Sequence, residues 1–266
     1  MWRNLYNSLR WGGVVRRLHR EIRPTNPLFL TYPGNISCQL TTIGSTENYP
    51  RQKGLLVVSD RGIAVYINRQ DDIPIFCCLP AELRWFGRPV KYHSRTNEMW
   101  IHAEVDGHWH LLKVWMWKSQ MVRLVRAMKQ IATPEQVKAY RRRRPYIHHG
   151  LIMTEPATQE ITGEWTLEQS VSVYLTPAYL VILDGSRVLR TISLEKVQRI
   201  GALHRLDAPQ ANGLARFQVE GEMMAFSVDD HNALATALAE AAKRTLEEPV
   251  LQKRKSKDDD WWDEIE

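Results

Sequence analysis

Residues Ile101 to Val114 read IHAEVDGHWHLLKV, two alternating runs on either side of Asp106-Gly107. An Asp-Gly pair between alternating runs is a strong local signal for a two-residue hairpin turn, because both central residues of that turn need a positive φ. Side chains on paired strands alternate with period two. Pairing about the turn therefore puts Ile101, Ala103, Val105, His108, His110, Leu112 and Val114 on one, mostly apolar face. Trp100, His102, Glu104, Trp109, Leu111 and Lys113 fall on the other.

The same register returns 114 residues later. Ala215 to Val228 (ARFQVEGEMMAFSV) turns at Glu220-Gly221 and gives a face of Ala215, Phe217, Val219, Glu222, Met224, Phe226 and Val228. Each hairpin hands over to a segment with apolar residues at helical spacing. In the first these are Met121, Leu124, Val125, Met128 and Ile131, and in the second Leu234, Leu238, Ala241 and Ala242. Upstream, Gly54 to Ile67 (GLLVVSDRGIAVYI) corresponds to Val171 to Leu183 (VSVYLTPAYLVIL), each a strand, a polar break and a strand. Further strand-like stretches lie in Ile73 to Arg88 and Val188 to Gly201. Both halves therefore predict several antiparallel strands followed by one helix.

This order, with its Ser-Asp-Arg or Thr-Pro-Ala break, its IPIF or RTISL strand and its closing hairpin and helix, resembles the pleckstrin-homology-like fold, particularly its GRAM and bacterial PH members. The resemblance covers about residues 28–132 and 150–246. It implies a mainly β fold with α, made of two PH-like bent antiparallel β-barrel or sandwich modules, each capped by a C-terminal amphipathic helix. A helix of that kind plugs the open mouth that such a sheet leaves. The basic loop between the first two strands that lipid-binding members use has no clear counterpart in either copy.

A chain of 266 residues suits two modules, since single cores stop growing near that length. Its 44% hydrophobic and 25% charged residues are those of a globular protein able to pack a core. A net charge of +6 favours anionic partners without choosing among them. Cys38, Cys77 and Cys78 make no disulfide framework, which points to a reducing, cytoplasmic setting. No apolar run approaches the roughly 20 residues of a membrane-spanning helix, and the N-terminus lacks the pattern of a secretory signal.

Residues 1–24 form a basic amphipathic segment in which Arg3, Arg10, Arg16, Arg17, Arg20 and Arg23 face a single acid, Glu21. Trp2, Leu5, Tyr6 and Leu9 share one helical face, while Trp11, Val15, Leu18 and Ile22 share another that points nearly the opposite way. The phase change predicts two short pieces with a break at Gly12-Gly13. Such pieces suit an anionic membrane surface or a docking site on protein equally, and an Arg-rich transit peptide is a third reading.

Residues 133–149 are a linker, in which Thr133-Pro134-Glu135 predicts an N-cap and a short helix ending before Pro145. Arg141, Arg142, Arg143 and Arg144 there are candidates for anion contact, although a solvated helix end is the plainer reading. Residues 247–266 read as a disordered charged tail, basic and then acidic around Trp261 and Trp262. The tryptophan pair is a candidate motif for a basic, grooved protein partner, the alternative being that it folds back on its own module.

His102, His108 and His110 tempt a metal assignment. The hairpin register opposes it, since His102 points away from the other two. There is no phosphate loop, nucleophile elbow or supported carboxylate pair. The expectation is a protein that is not an enzyme and has no cofactor or metal. It is a binding or scaffold protein, cytoplasmic and peripheral to the membrane through its basic N-terminus. The alternatives are a subunit of a larger assembly docking through both ends, or a nucleic-acid-binding protein using its arginine clusters.

Overall fold

The computed structural model describes residues 12–18, 20, 29–46, 48–67, 73–87, 97–141, 157–161, 166–205, 213–228 and 230–252. The chain is mainly β with few helices. It divides into two compact units, Met1–Tyr146 with Gly185–Val188 and Ile147–Asp184 with Leu189–Glu266.

In the first unit, residues 12–18 form helix α1. Seven described strands follow: β1 (Phe29–Thr42), β2 (Asn48–Ser59), β3 (Gly62–Tyr66), β4 (Phe76–Cys78), β5 (Leu83–Gly87), β6 (Asn97–Val105) and β7 (His108–Met116). Helices α2 (Lys118–Ile131) and α3 (Pro134–Arg141) complete it. The β6–β7 hairpin has the register expected from Asp106-Gly107, with Ile101 opposite Leu112, Ala103 opposite His110 and Val105 opposite His108. Asp106 at φ 51° and Gly107 at φ 74° supply the two positive dihedrals that the turn demands. All pairs are antiparallel, and β1 joins the two halves of the sheet by pairing with both β2 and β7. The order is β5-β6-β7-β1-β2-β3-β4.

The second unit repeats this order. It contains β8 (Ala157–Ile161), β9 (Thr166–Leu175), β10 (Tyr179–Asp184), most of β11 (Arg187–Ser193), β12 (Val197–Arg205), β13 (Leu214–Val219), β14 (Glu222–Ser227), α4 (His231–Ala242) and β15 (Glu247–Gln252). Ala215 pairs with Phe226 and Phe217 with Met224 about the Glu220-Gly221 turn, again with both φ positive. The path β12-β13-β14-β8-β9-β10-β11 is the first unit's path, strand for strand.

Each core lies between the sheet and its helix. Ile36, Leu56, Val65, Phe86, Ile101, Leu112 and Val114 pack with Met121, Leu124, Ala127 and Met128 of α2 in the first unit. In the second, Val173, Leu180, Ile182, Phe217, Met224 and Phe226 pack with Leu234, Leu238, Ala241 and Ala242 of α4. Both helices present the faces that the periodicity anticipates. Thr133 and Gln136 form the cap that starts α3, the Gln136 N–H donating to Thr133 Oγ1 and the Thr133 N–H to Gln136 Oε1.

Two expectations need correction. Among the described residues no ladder joins β4 to β5 or β11 to β12, so neither sheet closes into a barrel. β4 has three residues, all paired to β3, while the far edge of β5 is met by α3 and that of β12 by β15. Gly12 and Gly13 begin the described helix, and the first of the two expected pieces, residues 1–11, lies outside the described residues. Residues 247–252, expected to belong to a disordered tail, form a strand parallel to β12.

Candidate functional site

Of the arginines singled out by charge, the structure groups Arg16, Arg17 and Arg20 on or just after α1. Arg16 and Arg20 are exposed. The Arg16 Nε donates to the Gly12 carbonyl at 3.1 Å. The apolar side of the same helix is occupied: Val14 and Leu18, one turn apart, are buried against Leu55, Val57 and Tyr66 of β2 and β3. Val15 packs at the rim of that cluster. What α1 offers to solvent is therefore charge, its apolar contacts being satisfied within its own unit. Arg141 is the last residue of α3. Arg3, Arg10, Arg23, Arg142, Arg143, Arg144, Trp261 and Trp262 lie outside the described residues.

The histidines separate as the register requires. His110 is half-buried on the inner face, its Nδ1 3.1 Å from Thr42 Oγ1 and its ring edge-on to Phe76. His108 is its neighbour, with ring centroids 6.5 Å apart. Burial, with His108 second, lowers the His110 pKa. On the opposite face His102 is completely buried among Trp85, Trp100 and Trp109, at centroid distances of 5.2, 6.4 and 6.3 Å. Among the described residues neither of its nitrogens has a hydrogen-bond partner, and burial pushes its pKa down to about 3. Lys113 extends this aromatic face with its ammonium 4.3 Å from the centre of the Trp100 ring. Glu98 anchors the far side of that indole by accepting from Nε1 at 2.5 Å. Such a face is a packing layer rather than a ligating site, since a buried imidazole enclosed by indoles reaches no solvent.

Among the described residues no three His, Cys, Asp or Glu side chains converge as a metal-binding group. Cys38 and Cys78 are buried thiols whose pKa values burial raises to about 12, the opposite of an activated nucleophile. The β1–β2 turn of the first unit, Ile43-Gly44-Ser45-Thr46, carries no basic residue.

The arrangement that sequence reasoning missed is at the edge of β12. The strand bulges between Gln198 and Gly201, and Arg199 within the bulge takes φ 46°, a left-handed conformation unusual for arginine. From there its Nε donates to Glu247 Oε1 at 3.1 Å, while Arg216 Nη2 of β13 donates to Glu247 Oε2 at 2.9 Å. Two guanidinium groups thus hold the two oxygens of one carboxylate at the first residue of β15. Glu247 is 48 residues from Arg199 and 31 from Arg216, so no local pattern announces the trio.

No family model matches the chain, and no curated protein matches it significantly.

Proposed function

We propose that this chain is a non-enzymatic binding or scaffold protein built from two PH-like modules. The observation that carries the reading is the repeated order of seven described strands closed by a helix, because this is the order of elements in the family that the sequence resembles. A fold that appears twice in one chain, each copy with an apolar core between sheet and helix, suits presentation of outer surfaces to partners. Cross-linking in intact source cells, followed by sizing of the cross-linked species, tests it. The expected result is a discrete assembly larger than the 31.0 kDa chain. Recovery only as the free chain would refute the scaffold reading.

Contact with an anionic surface, peripheral to a membrane, is the second element of the proposal. It is favoured by the exposed Arg16 and Arg20 on a helix whose apolar side is already packed. That contact is electrostatic, each basic residue near an anionic bilayer contributing about 1 kcal/mol. Full-length protein is therefore expected to sediment with phosphatidylserine vesicles, and R16E/R20E to lose roughly tenfold or more in binding. Equal binding by both proteins, or equal binding to neutral vesicles, would remove this element.

A further inference from the structure

We propose that the edge of β12 is an acceptor for an extended acidic peptide, and that β15 is a built-in occupant which a partner segment of the same chemistry displaces. The inference rests on the binding reading above and names a surface and a ligand class for it.

A strand edge offers unpaired N–H and C=O groups, and adding an extended segment to it is a general mode of peptide recognition. β15 lies along this edge in parallel, with Gly201 opposite Glu247, Leu203 opposite Val250, His204 opposite Leu251 and Arg205 opposite Gln252. The ladder is irregular between Gly201 and Leu203.

The first unit shows that the fold does not need this strand. There the corresponding edge strand is β5, and the segment after the closing helix meets it as a helix, α3. A side chain of that helix serves the edge, the Gln136 amide donating to the Leu83 carbonyl. An added strand in the second unit is thus an extra feature of the edge rather than a requirement of the sheet.

The local chemistry is more specific than an edge cover requires. A left-handed arginine inside a bulge is an unfavourable backbone conformation, and bulges commonly re-aim a side chain. Here the result is a guanidinium directed at the incoming strand. Arg216, mostly buried, supplies the second. At Gly201 a β-carbon would stand 3.4 Å from the Glu247 β-carbon and 3.2 Å from Arg216 Nε, so glycine lets the carboxylate side chain settle between the two arginines. Arginine pairs of this kind read a carboxylate through charge-assisted hydrogen bonds.

The approach of the chain to the edge is also arranged. α4 ends with Lys243 at φ 55°, and the Arg244 N–H donates back to the Ala239 carbonyl at 2.9 Å. The Arg244 guanidinium then donates to the Val197 and Glu195 carbonyls, at 3.3 and 3.4 Å, which brings the chain beside the start of β12. The recognition element is accordingly an extended segment with an acidic residue at its start, as in Glu247-Glu248-Pro249-Val250-Leu251-Gln252. Displacing β15 would also move the chain that leads to Trp261 and Trp262.

The test uses full-length protein and a fluorescent peptide of the chain's own residues 245–252, which carries Glu247 and Glu248 and no basic side chain. In the wild type the tethered strand competes at a high effective concentration, so the peptide binds weakly. In full-length E247K, where the arginines no longer hold β15, the peptide is expected to bind at least tenfold tighter. Adding R216E should abolish that gain. Equal binding to wild type and E247K, or none to a folded E247K, would overturn the proposal.

A second measurement on the wild type stands even if the variant fails to fold. Millimolar peptide should speed amide hydrogen exchange across residues 247–252, and the same peptide with Glu247→Lys should not. Unchanged exchange with the acidic peptide, or equal acceleration by both peptides, would overturn it. These readouts concern the chain and its peptide alone, so they fail independently of whether a larger assembly is found in cells.

Discussion

Replacing His102 by phenylalanine should change how the stability of the first unit responds to acid. The native imidazole is fully buried among three indoles, and burial, with the nearby Lys113 charge second, lowers its pKa to about 3. In the unfolded chain the same group titrates near its ordinary value of about 6.5. The unfolded state therefore binds the proton first. The contribution of His102 to stability is complete above about pH 6.5 and is lost as pH falls toward 3. At 1.36 kcal/mol per unit, the wild type should lose about 2 kcal/mol between about pH 7.5 and 5 through this group alone, with a ceiling of about 5 kcal/mol near pH 3. H102F has no such proton to bind. Its stability at neutral pH reflects two opposed effects, relief of two unpartnered nitrogens and a tighter fit among the tryptophans. The difference between the two proteins should nonetheless shift in favour of H102F by about 2 kcal/mol over that range. Urea unfolding followed by tryptophan fluorescence at several pH values measures it, because Trp85, Trp100 and Trp109 surround the site. Parallel stability curves for the two proteins would refute the reasoning, since they would mean that His102 is protonated or hydrated in the native state.

Gly62 and Gly107 both have positive φ, yet they should respond differently to alanine. At Gly62 a β-carbon would fall 1.9 Å from the Cys78 carbonyl oxygen, so G62A should cost more than about 3 kcal/mol in chemical denaturation. At Gly107 nothing stands within 4 Å, and G107A should cost only about 1 kcal/mol. L18A removes the buried contact of α1 with Leu55, Val57 and Tyr66, and should speed tryptic cleavage near Arg16 and Arg17 with a loss of about 2 kcal/mol in that local packing. D230A deletes the acceptor for the Ala233 N–H at the start of α4, held at 2.9 Å, and should lower stability by about 1 kcal/mol in thermal unfolding.

The hairpins and the helices were legible because their signals are local. Asp106-Gly107 and Glu220-Gly221 force a turn wherever they occur between alternating runs, and the pairing then follows residue by residue. The 3.6-residue spacing of Met121, Leu124 and Met128 likewise states which face is buried before any partner is known. Thr133-Pro134-Glu135 signals the start of α3 within three residues, and only the structure adds Gln136 to that cap. β1 was harder, because Pro33-Gly34 interrupts its pattern and its ladder shifts register between Pro33 and Ile36. The Arg199, Arg216 and Glu247 trio was invisible, since its members are brought together only by the edge of a folded sheet.

By itself, then, the sequence determined the repeat, the inner face of each hairpin and the separation of His102 from His108 and His110, because turn chemistry and side-chain alternation act over a few residues. The tertiary structure decided the rest. It turned the aromatic face of Trp100, His102 and Trp109 into buried interior and packed α1 onto its own sheet. It also made a parallel strand of Glu247–Gln252, a segment rich in charge and containing proline, whose extended form is stabilised by an edge and two arginines remote in sequence. Local propensity carries no record of such distant partners, and burial and strand addition depend on them entirely.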